Sequence, residues 1–275
     1  MRFFLLGDMG TGDKYQKQVG KALNKEIQDY GKDTFVCGLG DNIYEMGVKS
    51  VFDTKFQTHF EKPYQMIPDS VRFYMCLGNH DYEQKNIRHQ IDYTNHSKKW
   101  FLPETYYQFR KQEKNCIVDF FVLDTNLEYN TPEYNKQQLK QMKQWIKDSD
   151  ADWKIVFGHH TWRSVAGHGN AEPELESFLQ DLFKSSPFDM YMCGHDHTKQ
   201  LFDINIQKKQ LLMVVCGTGS KPYPTNLRDN LSQSQGLQFS SHNLGFGLCD
   251  ISKKKLAIEF YTENNQFEFR YEINR

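Results

Sequence analysis

The sequence has no apolar run close to the roughly 20 residues that a membrane-spanning helix needs, so we expect no membrane partner. Its 34 lysines and arginines nearly balance its 35 aspartates and glutamates, so the chain carries no net positive charge that would attract nucleic acid. We therefore expect no nucleic-acid partner. Tandem repeats and low-complexity stretches are also missing. These absences argue against membrane proteins, general nucleic-acid binders and repeat solenoids.

The six cysteines form no CxxC pair, and each lies in an apolar, strand-like run. Buried free thiols are therefore expected, in agreement with a reducing compartment. The first apolar stretch, Arg2–Leu6, runs directly into glycine and aspartate, so no secretory signal is visible. We expect a cytoplasmic protein if Met1 is the native start, and a secreted or lysosomal one if a leader was removed.

Hydrophobic residues make up 38% of the 275 residues, enough for a sizeable core, and we expect a single domain over residues 1–275. Strands are predicted at 2–6, 34–40 and 71–77, each followed by a helical segment. The alternation predicts an α/β fold in which the carboxyl ends of parallel strands converge on one edge. From residue 201 onward only strands are predicted, apart from a long surface loop over 218–243.

Polar side chains follow five of the predicted strands directly. The 33 residues from Asp8 to Asp41, and the 38 from Asp41 to Asn79, each fit one strand-helix-strand step, so these side chains can reach one point. Taken singly, a strand-end aspartate is better explained as a cap or turn residue, and a histidine as a hydrogen-bonded one. Together they form a candidate metal site. The strand-end residues are Asp8, Asp41 with Tyr44, Asn79 with His80, His159, and His195 with His197.

The motifs Gly-Asp-Met-Gly from Gly7, Gly-Asp-Asn-Ile-Tyr from Gly40, Gly-Asn-His-Asp, Gly-His-His and Gly-His-Asp-His occur in this order. The set resembles the calcineurin-like metallophosphoesterases. Tyr44, together with His168 nine residues beyond His159, resembles the small purple acid phosphatases of the tartrate-resistant type. The resemblance implies a four-layer α/β/β/α sandwich of two mixed β-sheets flanked by helices.

The resemblance also implies two metal ions bridged by Asp41. Fe(III) is expected at the first site, because phenolate and carboxylate are hard donors, and Fe(II), Zn or Mn at the second. The first site would comprise Asp8, Asp41, Tyr44 and His197, and the second Asp41, Asn79, His159 and His195.

The implied activity is that of an acid phosphatase, in which a metal-bound hydroxide attacks a small phosphate monoester. His80 and His168 match the family's auxiliary histidines and are expected to bind phosphate oxygens and to protonate the leaving alkoxide. One alternative is a phosphodiesterase or nucleotide hydrolase with the same metals. Another is a non-catalytic scaffold that retains the fold within a larger assembly, with protein partners that the sequence does not identify.

The chain departs from the resembled family beside the metal site. His160 stands where a tyrosine is usual, and the expected proline is missing from residues 161–163. Two interpretations of His160 stay open: an additional phosphate or proton-transfer group, and a neutral structural substitution. A reducing compartment would disfavour Fe(III). In such a compartment a different metal pair is the alternative, and an acidic pH optimum is no longer expected.

Overall fold

The computed structural model describes residues 1–30, 34–84, 86–224 and 229–275. Apolar runs such as Arg2–Leu6 become buried strands, while segments with apolar residues three or four positions apart become helices. The strands are β1 (Arg2–Leu6), β2 (Phe35–Gly38), β3 (Phe73–Met75), β4 (Trp100–Phe101), β5 (Tyr107–Glu113), β6 (Cys116–Val122), β7 (Trp153–Phe157), β8 (Met190–Cys193), β9 (Lys199–Ile206), β10 (Lys209–Cys216), β11 (Leu237–Ser241), β12 (Gly245–Ser252), β13 (Lys255–Thr262) and β14 (Phe267–Asn274). The α-helices are α1 (Lys14–Tyr30), α2 (Thr54–Phe56), α3 (Asn79–Tyr82), α4 (Arg88–Asp92), α5 (Pro132–Asp148) and α6 (Pro173–Ser185).

These strands form two mixed seven-stranded sheets. The first has the order β14-β13-β12-β1-β2-β3-β4, with β1 to β4 parallel and β12 to β14 antiparallel to their neighbours. The second has the order β11-β9-β10-β8-β7-β6-β5, with β6, β7, β8 and β10 parallel. Each sheet therefore presents a row of parallel strand ends at one edge.

Strand β6 shows how the layers are stacked. Phe120 contacts Phe3 and Phe35 of the first sheet, with ring centroids 5.1 and 5.5 Å apart. The next residue, Phe121, points to the opposite face and belongs to an apolar cluster with Met142 of α5. Helix α6 contributes to the same cluster, and α1 contacts β12 of the first sheet. The expected α/β/β/α sandwich is confirmed.

The two longest helices among the described residues follow the predicted signals. In α1, Val19 and Leu23 are buried on one face. Helix α5 begins after Thr131, whose side chain accepts a hydrogen bond from Tyr134 N, and Pro132 occupies its first turn. Each has 17 residues, and within the described ranges no helix combines the length and apolar character required to cross a bilayer. The predicted stop of α1 at Gly31 lies outside the described residues.

The long loop expected over residues 218–243 is wrong in part, because it contains strand β11. This strand pairs with β9 at the edge of the second sheet. Its Phe239 stacks on Phe260 and Phe269 of the first sheet, with centroids 5.3 and 4.6 Å apart. These tertiary contacts outweigh the local serine- and glutamine-rich composition. Similarly, the helical segment predicted after the strand at 71–77 gives way to a further strand, in which Trp100 of β4 pairs with Phe73 of β3.

The six cysteines are all buried and free, which confirms the prediction from the sequence. Burial raises the pKa of the Cys37 and Cys249 thiols well above their usual value. A buried, protonated thiol is a poor nucleophile, so these side chains act as small apolar packing groups.

Candidate metal centre

The carboxyl ends of strands from both sheets meet at one edge of the sandwich. The Gly7 N–H at the end of β1 donates to the Cys216 carbonyl at the end of β10, at 2.9 Å. His159, after β7, places Nδ1 2.8 Å from the Leu39 carbonyl, after β2. Contacts of this kind between the sheets bring the five predicted strand ends to one place.

The first group of predicted ligands surrounds the Tyr44 hydroxyl. Its oxygen lies 2.8 Å from Asp41 Oδ2, 3.1 Å from Asp8 Oδ1 and 3.5 Å from His197 Nε2. His197 Nε2 is also 3.5 Å from Asp8 Oδ1. Asp8 and Asp41 are buried, at 0% and 2% exposure, so this group of oxygen and nitrogen atoms is shielded from solvent.

The second group surrounds His159. Its Nε2 lies 3.4 Å from Asp41 Oδ1, 3.1 Å from Asn79 Oδ1 and 3.2 Å from His195 Nδ1. A carbonyl oxygen can only accept, so Nδ1 of His159 must donate to Leu39 and Nε2 is the nitrogen left to bind a metal.

Asp41 belongs to both groups through different oxygens. Oδ2 is near the phenol of Tyr44, whereas Oδ1 is near the imidazole of His159. Ligand atoms of Asp8, Asp41 and His159 all lie within 4.8 Å of one another. The structure thus brings all seven predicted ligands together around Asp41, and their binding of metal stays a prediction.

Three of these residues have a backbone conformation that side chains other than glycine rarely adopt. The φ angles are 54° at Asp8, 52° at Asp41 and 68° at His195. Gly78 allows the close packing of two strand ends, because a Cβ there would lie 2.1 Å from Asp41 Oδ1. Left-handed residues clustered at strand ends are typical of functional sites that the surrounding fold holds in place.

The electrostatics of the cluster suit a cation. Burial, opposed by His159 and reinforced by Asp41, raises the pKa of Asp8 well above its usual value. Burial and both carboxylates also raise the pKa of Tyr44. Burial and the neighbouring imidazoles lower the pKa of His195, which favours the neutral form that binds metals. Buried carboxylates, a phenol, an amide oxygen and neutral imidazoles together fit the donor set of two metal ions.

The two histidines predicted to be catalytic lie next to the cluster. His80 packs on Tyr44, with ring centroids 4.6 Å apart, and its Nδ1 is 2.5 Å from the Glu45 carbonyl. His168 packs on His195 at 4.0 Å. Both therefore adjoin predicted ligands, as the sequence interpretation requires.

With this geometry established, the chain can be compared with known proteins. The family profile described as "Calcineurin-like phosphoesterase" matches residues 1–199. The chain belongs to the calcineurin-like phosphoesterase family. Within it, the chain is similar to purple acid phosphatase 4 of Arabidopsis thaliana, with 29% identity over 94% of this chain and 79% of the relative. It is also similar to tartrate-resistant acid phosphatase type 5 of Oryctolagus cuniculus, with 28% identity over 98% of this chain and 90% of the relative.

A solved structure shares the fold of this chain. GAP50, described as the anchor in the inner membrane complex of Plasmodium, superposes with a TM-score of 0.87. The match covers 100% of this chain and 88% of GAP50, at 21% sequence identity. At that identity the likeness extends to the fold alone.

A pocket of about 320 Å³ opens beside the cluster of predicted metal ligands. Asn79, His195, His168 and His160 form the wall shared with the cluster. The remaining lining combines apolar, uncharged polar and acidic side chains: Thr125, Leu127, Glu128, Tyr129, Thr161, Asn170, Ala171, Glu172, Glu174 and Leu175. Burial lowers the pKa of His160 to about 3, so this ring is neutral.

The sequence interpretation missed Asp81, the last residue of Gly-Asn-His-Asp. This carboxylate is 1% exposed and accepts hydrogen bonds from Asn42 N, Ile43 N, Gly78 N and Gln90 Nε2 at 2.8 to 3.2 Å. It therefore ties the loop after β2 to the loop after β3. Its place within a motif that follows a strand was a signal that could have identified it.

A sixth strand end was also missed. The residues after β6 follow an apolar run, as the predicted strand ends do, and Thr125 among them contacts the site. Its Oγ1 accepts hydrogen bonds from the backbone N–H groups of His159 and His160, at 3.2 and 3.1 Å. Thr125 thereby fixes the start of the loop that follows β7.

Proposed function

We propose that this protein is a dinuclear metal-dependent phosphatase that hydrolyses phosphate monoesters. The observation that carries the proposal is the position of Asp41, whose two carboxylate oxygens face two different donor groups. A bridging carboxylate of this kind holds two ions close enough to act on one phosphate. The pocket beside Asn79 and His195 offers space for the ester.

The donor sets favour different ions at the two positions. Asp8, Tyr44 and the shared Asp41 supply hard oxygen donors suited to Fe(III), whereas the imidazole-rich side with His159 and His195 suits Fe(II), Zn or Mn. When bound, two such ions supply an activated water as nucleophile and positive charge that stabilises the transition state.

The proposed roles of His80 and His168 follow from their surroundings. Because the Glu45 carbonyl only accepts, Nδ1 of His80 donates to it, and Nε2 is left to exchange a proton with the leaving group. The backbone N–H of His168 donates to the buried Asp196 carboxylate at 2.9 Å, which fixes this residue at the pocket wall. His168 is thereby positioned to hold a phosphate oxygen.

The pocket lining favours a small monoester over a nucleotide. The three carboxylates of Glu128, Glu172 and Glu174 would repel additional phosphate groups, and among the residues that the structure describes, those lining the pocket include no arginine or lysine. The other alternative is a non-catalytic role, such as the anchoring described for GAP50. The assay below separates these possibilities.

The test is hydrolysis of an aryl phosphate by metal-loaded protein across pH, with metal content measured on the same samples. Asp41→Asn should lower bound metal and abolish turnover, because it removes the shared carboxylate. The matched control is Asp250→Asn, the same change at a half-buried carboxylate that pairs with Arg2 on β1. Full activity in Asp41→Asn would refute the mechanism. A metal-loaded wild type that hydrolyses neither monoesters, diesters nor nucleotides would support the scaffold alternative.

A further inference from the structure

Two adjacent histidines, His159 and His160, enter the site from the end of β7. Their rings are 5.1 Å apart, and His160 also packs against His195 with a centroid distance of 4.5 Å. Proximity alone would make His160 a candidate for a further metal ligand or for a structural filler. Its hydrogen bonds to Thr125 indicate a third role.

The hydroxyl of Thr125 makes three contacts. It accepts from the backbone N–H groups of His159 and His160, and it lies 2.9 Å from His160 Nδ1. A hydroxyl has two acceptor sites and one proton, and both acceptor sites are used by the backbone. The third bond must therefore be the Thr125 O–H donated to His160 Nδ1, which makes Nδ1 an acceptor.

An imidazole whose Nδ1 accepts carries its proton on Nε2. The described residues provide no hydrogen-bond acceptor for this Nε2–H, and His160 lines the pocket. A protonated Nε2 cannot bind a metal, so the adjacent histidines differ in function: His159 offers a lone pair to the cluster, and His160 offers an N–H to the pocket.

We propose that His160 is a substrate-binding residue whose Nε2–H, fixed by Thr125, donates a hydrogen bond to a phosphate oxygen. The inference rests on the proposed phosphatase function. It also accounts for a histidine where the related enzymes are expected to have tyrosine, since both side chains present a neutral donor.

The first test needs no metal and no substrate. Long-range proton–nitrogen NMR spectra of the metal-free protein distinguish the two neutral imidazole tautomers. We expect the Nε2–H tautomer for His160 in the wild type and in Thr125→Ser, and its loss in Thr125→Val, which lacks the hydroxyl. An Nδ1–H tautomer in the wild type would overturn the proposal.

The second test measures the affinity of inorganic phosphate for the metal-loaded protein. His160→Leu should weaken it about 10- to 100-fold, the usual effect of losing one hydrogen bond to a charged group, with metal content unchanged. His160→Gln, which keeps an N–H donor, should restore most of it, and His242→Leu, an exposed histidine paired with Asp229, should have no effect. Unchanged affinity in His160→Leu, or loss of metal, would overturn the assignment.

The two tests also separate the inference from the function on which it rests. A wild type that binds phosphate through His160 but turns over no ester would refute the phosphatase function and leave the role of His160 standing. A wild type that binds two metals but no phosphate would overturn both.

Discussion

Replacing Asp81 with asparagine tests whether one buried carboxylate holds the two central loops of the metal site together. Oδ1 accepts from Asn42 N, Ile43 N and Gln90 Nε2 at 3.1, 3.2 and 2.9 Å. Oδ2 accepts from Gly78 N at 2.8 Å and shares the Asn42 N–H at 3.1 Å. Each of these groups is a donor. An asparagine side chain fits the same space but must place an NH₂ group against donors.

The cost follows from the orientation that loses least. With its oxygen at the Oδ1 position, the amide keeps the bonds from Asn42, Ile43 and Gln90, but its NH₂ then faces the Gly78 N–H. Two buried donors are left unsatisfied, at about 1 to 3 kcal/mol each. We therefore expect a loss of about 3 kcal/mol in the free energy of unfolding. Metal affinity should fall about 10-fold or more, because the loops that carry Asp41 and Asn79 are no longer fixed to each other.

The assay is urea unfolding followed by tryptophan fluorescence, together with metal analysis of the folded protein. Burial and the charge of Asp41 raise the pKa of Asp81 to about 7, so the folded state favours the protonated form and loses stability as pH rises through 7. The measurement belongs at pH 8, where the wild-type carboxylate is ionised; the removal of its buried charge then offsets part of the penalty, which places the expected loss at the lower end of the range. Asp250→Asn is the control and should cost under about 1 kcal/mol. A loss in Asp81→Asn no larger than in the control, with metal binding retained, would refute the argument.

Three further changes test other parts of the structure. Tyr44→Phe should remove the visible absorption band that makes a tyrosine–Fe(III) centre purple. A colourless, iron-free but active wild type would refute that metal assignment and leave the dinuclear site intact. Gly78→Ala should lower metal content, because the new Cβ would lie 2.1 Å from Asp41 Oδ1, and wild-type metal content would contradict the packing argument. Glu176→Gln removes a bidentate ion pair with Arg163, at 2.6 and 3.0 Å, and should cost about 1 kcal/mol at pH 7 in urea unfolding. Burial raises the pKa of Glu176, but hydrogen bonds from Arg163 outweigh that effect, and the net result is a lowered pKa. The stability that the ion pair contributes is therefore present above the usual value of 4.5 and is lost as pH falls through the folded pKa. A difference in unfolding free energy between wild type and variant that grows in acid would contradict the assignment.

The strand ends were predictable because their signals are local. Asp8, Asp41 and His195 each follow an apolar run and a glycine, and the sequence shows that pattern directly. The left-handed backbone at these three positions was not predictable from residue type, since aspartate and histidine adopt it only where surrounding contacts hold them there.

Other features depended on segments far apart in the chain. Strand β11 forms because Phe239 stacks on Phe260 and Phe269, although its own composition is that of a loop. The pocket beside the site likewise joins the turn at residues 127–129 to the start of α6. Neither arrangement has a local pattern that could have indicated it.

Residue type and spacing are properties of the chain, so the donor atoms that are available and the strands that carry them can be read from the sequence. How the atoms of each donor are used depends on the folded structure. The two oxygens of Asp41 face different groups, and His159 and His160 carry their protons on opposite nitrogens. These differences depend on the acceptors that folding brings within hydrogen-bond distance, the Leu39 carbonyl for one ring and the Thr125 hydroxyl for the other.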